Sequence, residues 1–173
     1  IRTQDGRILE KTDDWIESDQ TSNKEEEVYI QMEYQKQRYN LYIPKDYDPK
    51  KKYPLVQFIH DAGACGKDTR LALAQGRGAL VWASPEVQKE HPCFVFAPQF
   101  DGPPIVDDDW NVDERLEDAK AALDNILDLY SIDRKRLYTT GQSMGCMASS
   151  VLNIRYPEYF AASYLVAWQW DER

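Results

Sequence analysis

Leu137-Tyr138-Thr139-Thr140-Gly141-Gln142-Ser143-Met144-Gly145-Cys146-Met147-Ala148 is the stretch on which the reading of the whole chain turns. Leu137–Thr140 reads as a short strand, and the residues from Cys146 to Tyr156 read as a helix that must end before Pro157. Between them, residues 141–145 fit G-x-S-x-G. By composition alone that pentapeptide arises in roughly one chain in twenty of this length. On a strand-to-helix turn it is much rarer. Such a turn lifts the Ser143 hydroxyl clear of the sheet edge, and glycine at 141 and 145 removes side chains that would strike the neighbouring strand and helix. The start of the helix offers free N–H groups and positive potential to a developing oxyanion. The competing interpretation is a tight turn in which Ser143 only caps its helix.

Working outward, four nearly continuous apolar or small runs suit strands covered on both faces of a parallel sheet: 54–60, 93–98, 137–140 and 160–167. Two earlier segments alternate instead. Val28, Ile30, Met32 and Tyr34 form one series, Tyr39, Leu41 and Ile43 the next. Each predicts a strand with one buried and one wet face, joined by a turn at 35–38. The strongest helix spans 114–130, with Leu116, Ala119, Leu123, Ile126, Leu127 and Tyr130 on one stripe and Asp113 as its N-cap. Another helix covers part of 69–90 and is interrupted near Pro85. The order is two antiparallel strands followed by βαβαβ, the plan of a mixed, mostly parallel α/β sheet. Residues 1–27 are expected to be a polar arm or edge strands, and 28–173 the core.

The chain has 173 residues and a net charge of −9. That balance argues against nucleic acid and anionic membranes as partners, since both reward Lys and Arg. The Lys50-Lys51-Lys52 run reads as a solvated turn. No apolar stretch is long enough to span a membrane. No signal-peptide core opens the chain, which leaves cytoplasmic and secreted compartments both open. Three cysteines without a CxxC spacing do not make a disulfide framework, and Cys93 and Cys146 are expected as buried thiols.

The sequence Arg136-Leu-Tyr-Thr-Thr-Gly-Gln-Ser-Met-Gly-Cys-Met147, followed by Arg155-Tyr-Pro-Glu-Tyr-Phe-Ala-Ala162, resembles α/β-hydrolases of the bacterial esterase and predicted-peptidase group. These are akin to polyhydroxybutyrate-depolymerase-like and feruloyl-esterase-like enzymes. Tyr53-Pro-Leu-Val-Gln-Phe-Ile-His-Asp-Ala-Gly63 and Phe96-Ala-Pro-Gln99 are similar to the same group, so the resemblance covers roughly 37–168. It implies an α/β-hydrolase fold with Ser143 as nucleophile. It also implies an oxyanion hole from the Ala62 and Met144 N–H groups, with Asp61 as their neighbour. Trp110, Gln142 and Trp168 would then line the substrate cleft. Asp61 stands where the group commonly has glycine, and Trp168 where small residues are common. The implied chemistry is hydrolysis of a small-molecule or polymer-derived carboxylic ester through an acyl-enzyme, without metal or organic cofactor. The tryptophans hint at an aryl or apolar acyl group.

The order of a catalytic triad on this fold is serine, acid, histidine. Both histidines of this sequence, His60 and His91, precede Ser143. His60, at a strand end, is expected to anchor the oxyanion loop rather than act as base, and His91 to lie on a surface loop. Asp171 reads as a loop or capping residue. The expectation is therefore a chain that carries the amino-terminal two-thirds of the fold and lacks the later strands. Its acid and histidine would lie beyond residue 173, and the chain alone would be inactive. An open sheet edge would follow, inviting self-association. The alternatives are a catalytically silent binding module and a serine peptidase of the same fold.

Overall fold

The computed structural model describes residues 25–168 and Trp170. The expected arm up to residue 24, and Asp171, lie outside them. Six strands form one mixed sheet: β1 (Ile30–Tyr34), β2 (Gln37–Tyr42), β3 (Tyr53–Ile59), β4 (Phe94–Gln99), β5 (Ile132–Gln142) and β6 (Ala162–Val166). Their spatial order is β1-β2-β4-β3-β5-β6. β1 and β2 pair antiparallel, β2 meets β4 antiparallel, and all other neighbours are parallel. This is the mixed sheet that the sequence pattern implies.

Helices cover both faces. The β3–β4 crossover carries α1 (Leu71–Ala74), α2 (Leu80–Ala83) and α3 (Pro85–Glu90). The helical segment is interrupted just before Pro85, as expected: α2 ends at Ala83 and Ser84 is extended. Pro85 opens α3, with Ser84 as N-cap, because a proline at the first helical position loses no hydrogen bond. On the opposite face lie α4 (Arg115–Leu129) and α5 (Met144–Arg155). The buried stripe of α4 is Leu116, Ala119, Ala122, Leu123, Ile126 and Leu127. The Asp113 carboxylate accepts the Arg115 N–H at 2.9 Å, although the cap position itself falls on Glu114.

Three strand expectations differ from what the structure shows. Val28 and Ile30 are about half exposed, while Tyr29 is buried, its hydroxyl donating to the Ala79 carbonyl at 2.7 Å. Within β1 the expected phase holds, with Met32 and Tyr34 packed against the core between exposed Gln31 and Glu33; Val28 and Tyr29 differ because the ladder begins only at Ile30. β2 is buried on both faces, Asn40 and Tyr42 as well as Tyr39 and Leu41, since the α1–α3 segment covers the face expected to be wet. The apolar run of β6 is exposed throughout, with Tyr164 at 70%, because β6 is the outer strand among the described residues.

The topology also creates a crevice. β3 and β5 are adjacent, and Ile59 pairs with Gly141. From that level the chain leaves β3 toward the α1–α3 face and leaves β5 toward the α4–α5 face. Adjacent strands whose connections part to opposite faces open a cleft at their carboxyl ends. Asp61 and Ser143 lie at that cleft.

Candidate active site

The elbow is built by close packing. A Cβ on residue 145 would sit 1.9 Å from the Ile59 carbonyl oxygen, and one on residue 141 would sit 2.4 Å from the Gly145 carbonyl. Only glycine fits either position, so helix α5 approaches β3 and β5 at backbone contact. Behind the turn, Gln57 donates to the Thr139 hydroxyl at 3.1 Å, and Thr139 and Ser149 hydroxyls lie 3.0 Å apart. This buried polar chain ties β3, β5 and α5 together. It needs small hydroxyl residues on the helix face, which is why Ser149 is buried without cost of an unpaired group.

Ser143 sits at φ 52°, ψ −115°. A non-glycine residue at positive φ is strained by roughly 1–3 kcal/mol, a cost that persists only where surrounding packing imposes it. The Ser143 N–H donates to the Val166 carbonyl of β6 at 3.0 Å. Its side chain makes no capping bond to the first turn of α5, so the reading of Ser143 as a helix cap does not hold. The residue is partly exposed. Met144 begins α5, and its N–H has no hydrogen-bond partner among the described residues.

Across the crevice, residues 62–64 form a single 3-10 turn capped by Asp61. Cys65 Sγ lies 3.9 Å from Met144 Sδ, so this loop and the start of α5 are in contact. His60 is fully buried. Its Nε2 faces the Phe100 N–H at 3.2 Å and must accept, so the proton resides on Nδ1, which donates to the Asp61 carbonyl at 2.7 Å. Burial holds its pKa below the ordinary histidine value. Both nitrogens are committed to backbone, and His60 is an anchor, as the sequence implied. Gln99 anchors the same loop: its amide nitrogen donates to the carbonyls of Ala64 at 2.7 Å and Gly66 at 3.1 Å, while its oxygen accepts the Ala72 N–H. Sequence reasoning missed Gln99. The available signal was a polar residue closing the apolar run 93–98.

The tryptophans cluster on the same edge of the sheet. The segment after β4 reaches across to the end of β6, where Trp110 stacks on Trp170 with centroids 4.0 Å apart. Trp170 donates to the Asp107 carbonyl at 2.7 Å, and Trp168 meets Trp170 edge-on at 6.0 Å. Trp110 and Trp168 remain partly exposed, whereas Trp170 is buried. Gln142 turns its amide toward Asp61 Oδ2, 3.4 Å away. His91 ends α3 and lines a separate groove with Lys51 and Pro92. A cavity of about 1030 Å³ lies by Tyr42, Tyr53 and Leu80, at the other end of the strands, and includes no residue of the elbow. Among the described residues there is no cluster of three or more His, Cys, Asp or Glu able to hold a metal, and no helix long and apolar enough to cross a membrane.

No protein-family model and no curated protein matches the chain. Solved structures do. A thermostable esterase is similar at 36% identity and TM-score 0.74, over 79% of this chain and 40% of that one. The feruloyl esterase module from Clostridium thermocellum complexed with sinapinate aligns at 16% identity and TM-score 0.61, over 78% and 52%. The fluorophosphonate-binding serine hydrolase F of Staphylococcus aureus aligns at 15% identity and TM-score 0.58, over 78% and 55%. The chain thus spans about half the length of these structures, or less.

Proposed function

We propose, for a chain that belongs to the α/β-hydrolase superfamily, that Ser143 is the nucleophile of a serine esterase acting on carboxylic esters. The observation that carries this is the strained backbone of Ser143 between two glycines whose Cβ positions are filled by neighbouring backbone. In this reading the Ser143 oxygen attacks the ester carbonyl and its proton passes to a general base. The tetrahedral oxyanion is held by the N–H groups of Ala62 and Met144, neither of which has another partner among the described residues. Collapse expels the alcohol and leaves an acyl-enzyme that water hydrolyses.

Serine needs an adjacent base, and loss of a triad member costs on the order of 10⁴-fold or more. His60 is ruled out by its two backbone bonds, and His91 by its position on α3 at the far end of β3 and β4. We assign the acid and base to residues outside this chain, so the activity belongs to the full-length protein. Trp110 and Trp168 form the wall against which the ester's substituent lies.

The test is labelling of the full-length protein with a fluorophosphonate. Labelling at Ser143 that disappears in Ser143→Ala is expected. Labelling that survives Ser143→Ala would overturn the assignment. Absence of any labelling favours a silent binding module, the reading supported by His60 being committed to backbone and His91 lying at the far end of the strands. Relative turnover of ester and peptide substrates separates an esterase from a peptidase.

A further inference from the structure

The loop after β3 offers backbone N–H groups from Asp61 to Gly66, and their partners can be followed one by one. The Asp61 N–H donates to Gln75 Oε1 at 3.0 Å. The Gly63 N–H donates to Asp61 Oδ1 at 2.6 Å. The Ala64 N–H goes to the Asp61 carbonyl, the Cys65 N–H to the Ala62 carbonyl, and the Gly66 N–H to the Phe100 carbonyl. Only the Ala62 N–H is left without a partner among the described residues. One side chain accounts for much of this selection. Asp61 removes Gly63 as a competing donor, and its second oxygen faces the Gln142 amide beside the nucleophile.

We infer that Asp61 is a positioning residue. Its carboxylate locks the 61–65 turn so that Ala62 alone presents an oxyanion donor, and it ties that turn to Gln142 on the elbow. This rests on the reading of Ser143 as the nucleophile. A glycine at 61 would leave the Gly63 N–H free and the turn unclamped. A carboxylate so close to a developing oxyanion would repel it if unpaired. Here one oxygen is engaged by Gly63 and the other faces Gln142, which offsets that charge. Gly63 shares the clamp: a Cβ there would lie 3.1 Å from Asp61 Oδ1.

Two measurements on the full-length protein test this. The first is amide hydrogen exchange, which needs no activity. Slow exchange at Gly63, fast exchange at Ala62, and at least tenfold faster exchange at Gly63 in Asp61→Ala are expected, with Asp61→Asn restoring protection. Equal exchange at Gly63 in wild type and Asp61→Ala would overturn the clamp. The second is p-nitrophenyl acetate hydrolysis. Losing a correctly placed oxyanion donor costs about 10²–10³-fold in kcat. Asp61→Ala is expected to lower kcat by about 10²-fold with KM within twofold, and Asp61→Asn to recover most of it. Unchanged kcat in Asp61→Ala, or an equal loss of kcat in Asp61→Asn, would overturn the positioning role. If wild type is neither labelled at Ser143 nor active while the exchange pattern holds, it is the esterase reading that fails, not the clamp.

Discussion

The α-carbon of Gly145 lies so tightly against Ile59 that a Cβ at 145 would stand 1.9 Å from the Ile59 carbonyl oxygen and 2.5 Å from its carbon. Both obstacles are backbone, so neither can rotate away. Gly145→Ala must push α5 off β3 or distort the turn that holds Ser143. Overpacking of this kind costs typically 1–3 kcal/mol and occasionally more. We expect a loss of about 3 kcal/mol, read from urea unfolding, with Ser143 labelling abolished before the fold is lost.

His60 makes stability depend on pH. Its folded pKa lies below its ordinary value of 6.5, because burial penalises the charged ring. A neutral folded histidine means that the unfolded chain binds the extra proton first. The contribution is therefore complete above about pH 7 and declines as pH falls below about 6.5, with a slope of up to ~1.4 kcal/mol per unit. Protonation would also set a donor against the Phe100 N–H. Denaturation midpoints from about pH 7 to 5 should fall in wild type. The slope should flatten in His60→Gln, although that variant starts lower by about 1–3 kcal/mol if Phe100 N–H loses its acceptor.

The three thiols should differ in reactivity. All are unpaired, and burial raises each pKa, that of Cys93 to about 11. Only Cys65 is partly exposed. Iodoacetamide at mildly alkaline pH should modify Cys65 slowly, and Cys93 and Cys146 only after denaturation, as mass spectrometry of digests would reveal. Rapid native modification of Cys93 would contradict its placement beneath α2 and α3.

Trp110 has positive φ and stacks on a buried Trp170 while leaving much of its own surface exposed. If it forms the cleft wall, Trp110→Ala should raise KM for bulky acyl esters about tenfold or more, with little effect on acetate esters. Stacked aromatic pairs contribute about 0.5–1.5 kcal/mol beyond area burial, so stability should drop modestly. Equal effects on both ester sizes would argue for a purely structural role.

Strand β6, the outer strand among the described residues, exposes Tyr164, Leu165 and Val166. A long apolar edge recruits other strands. A solution of residues 1–173 should self-associate, with a sedimentation coefficient that rises with concentration, and Leu165→Lys should suppress this. A constant monomeric coefficient would refute it.

Much of the fold was legible in the chain because periodicity and turn chemistry are local. The stripe on α4, the parallel runs of β3 to β5 and the glycine spacing around Ser143 follow from neighbours within a few residues. The burial of Tyr29 ahead of β1 and the second buried face of β2 were not legible. They depend on where the α1–α3 segment lands, a contact made across dozens of residues. The same holds for β6, whose apolar composition fits a covered strand but whose faces are bare among the described residues.

At the site, sequence alone determined the elbow. Two glycines around a serine on a strand-to-helix turn leave few other interpretations, and the resemblance named Ala62 and Met144 as donors from their positions. Only the tertiary structure decided what surrounds them. That Asp61 caps its own turn, that Gln75 and Gln99 hold the loop, and that both nitrogens of His60 are engaged are consequences of long-range pairing. A hydrogen bond needs its partner within about 3 Å. Distance along the chain carries no information about which partner arrives, and the packing of β3, β4 and β5 supplies it.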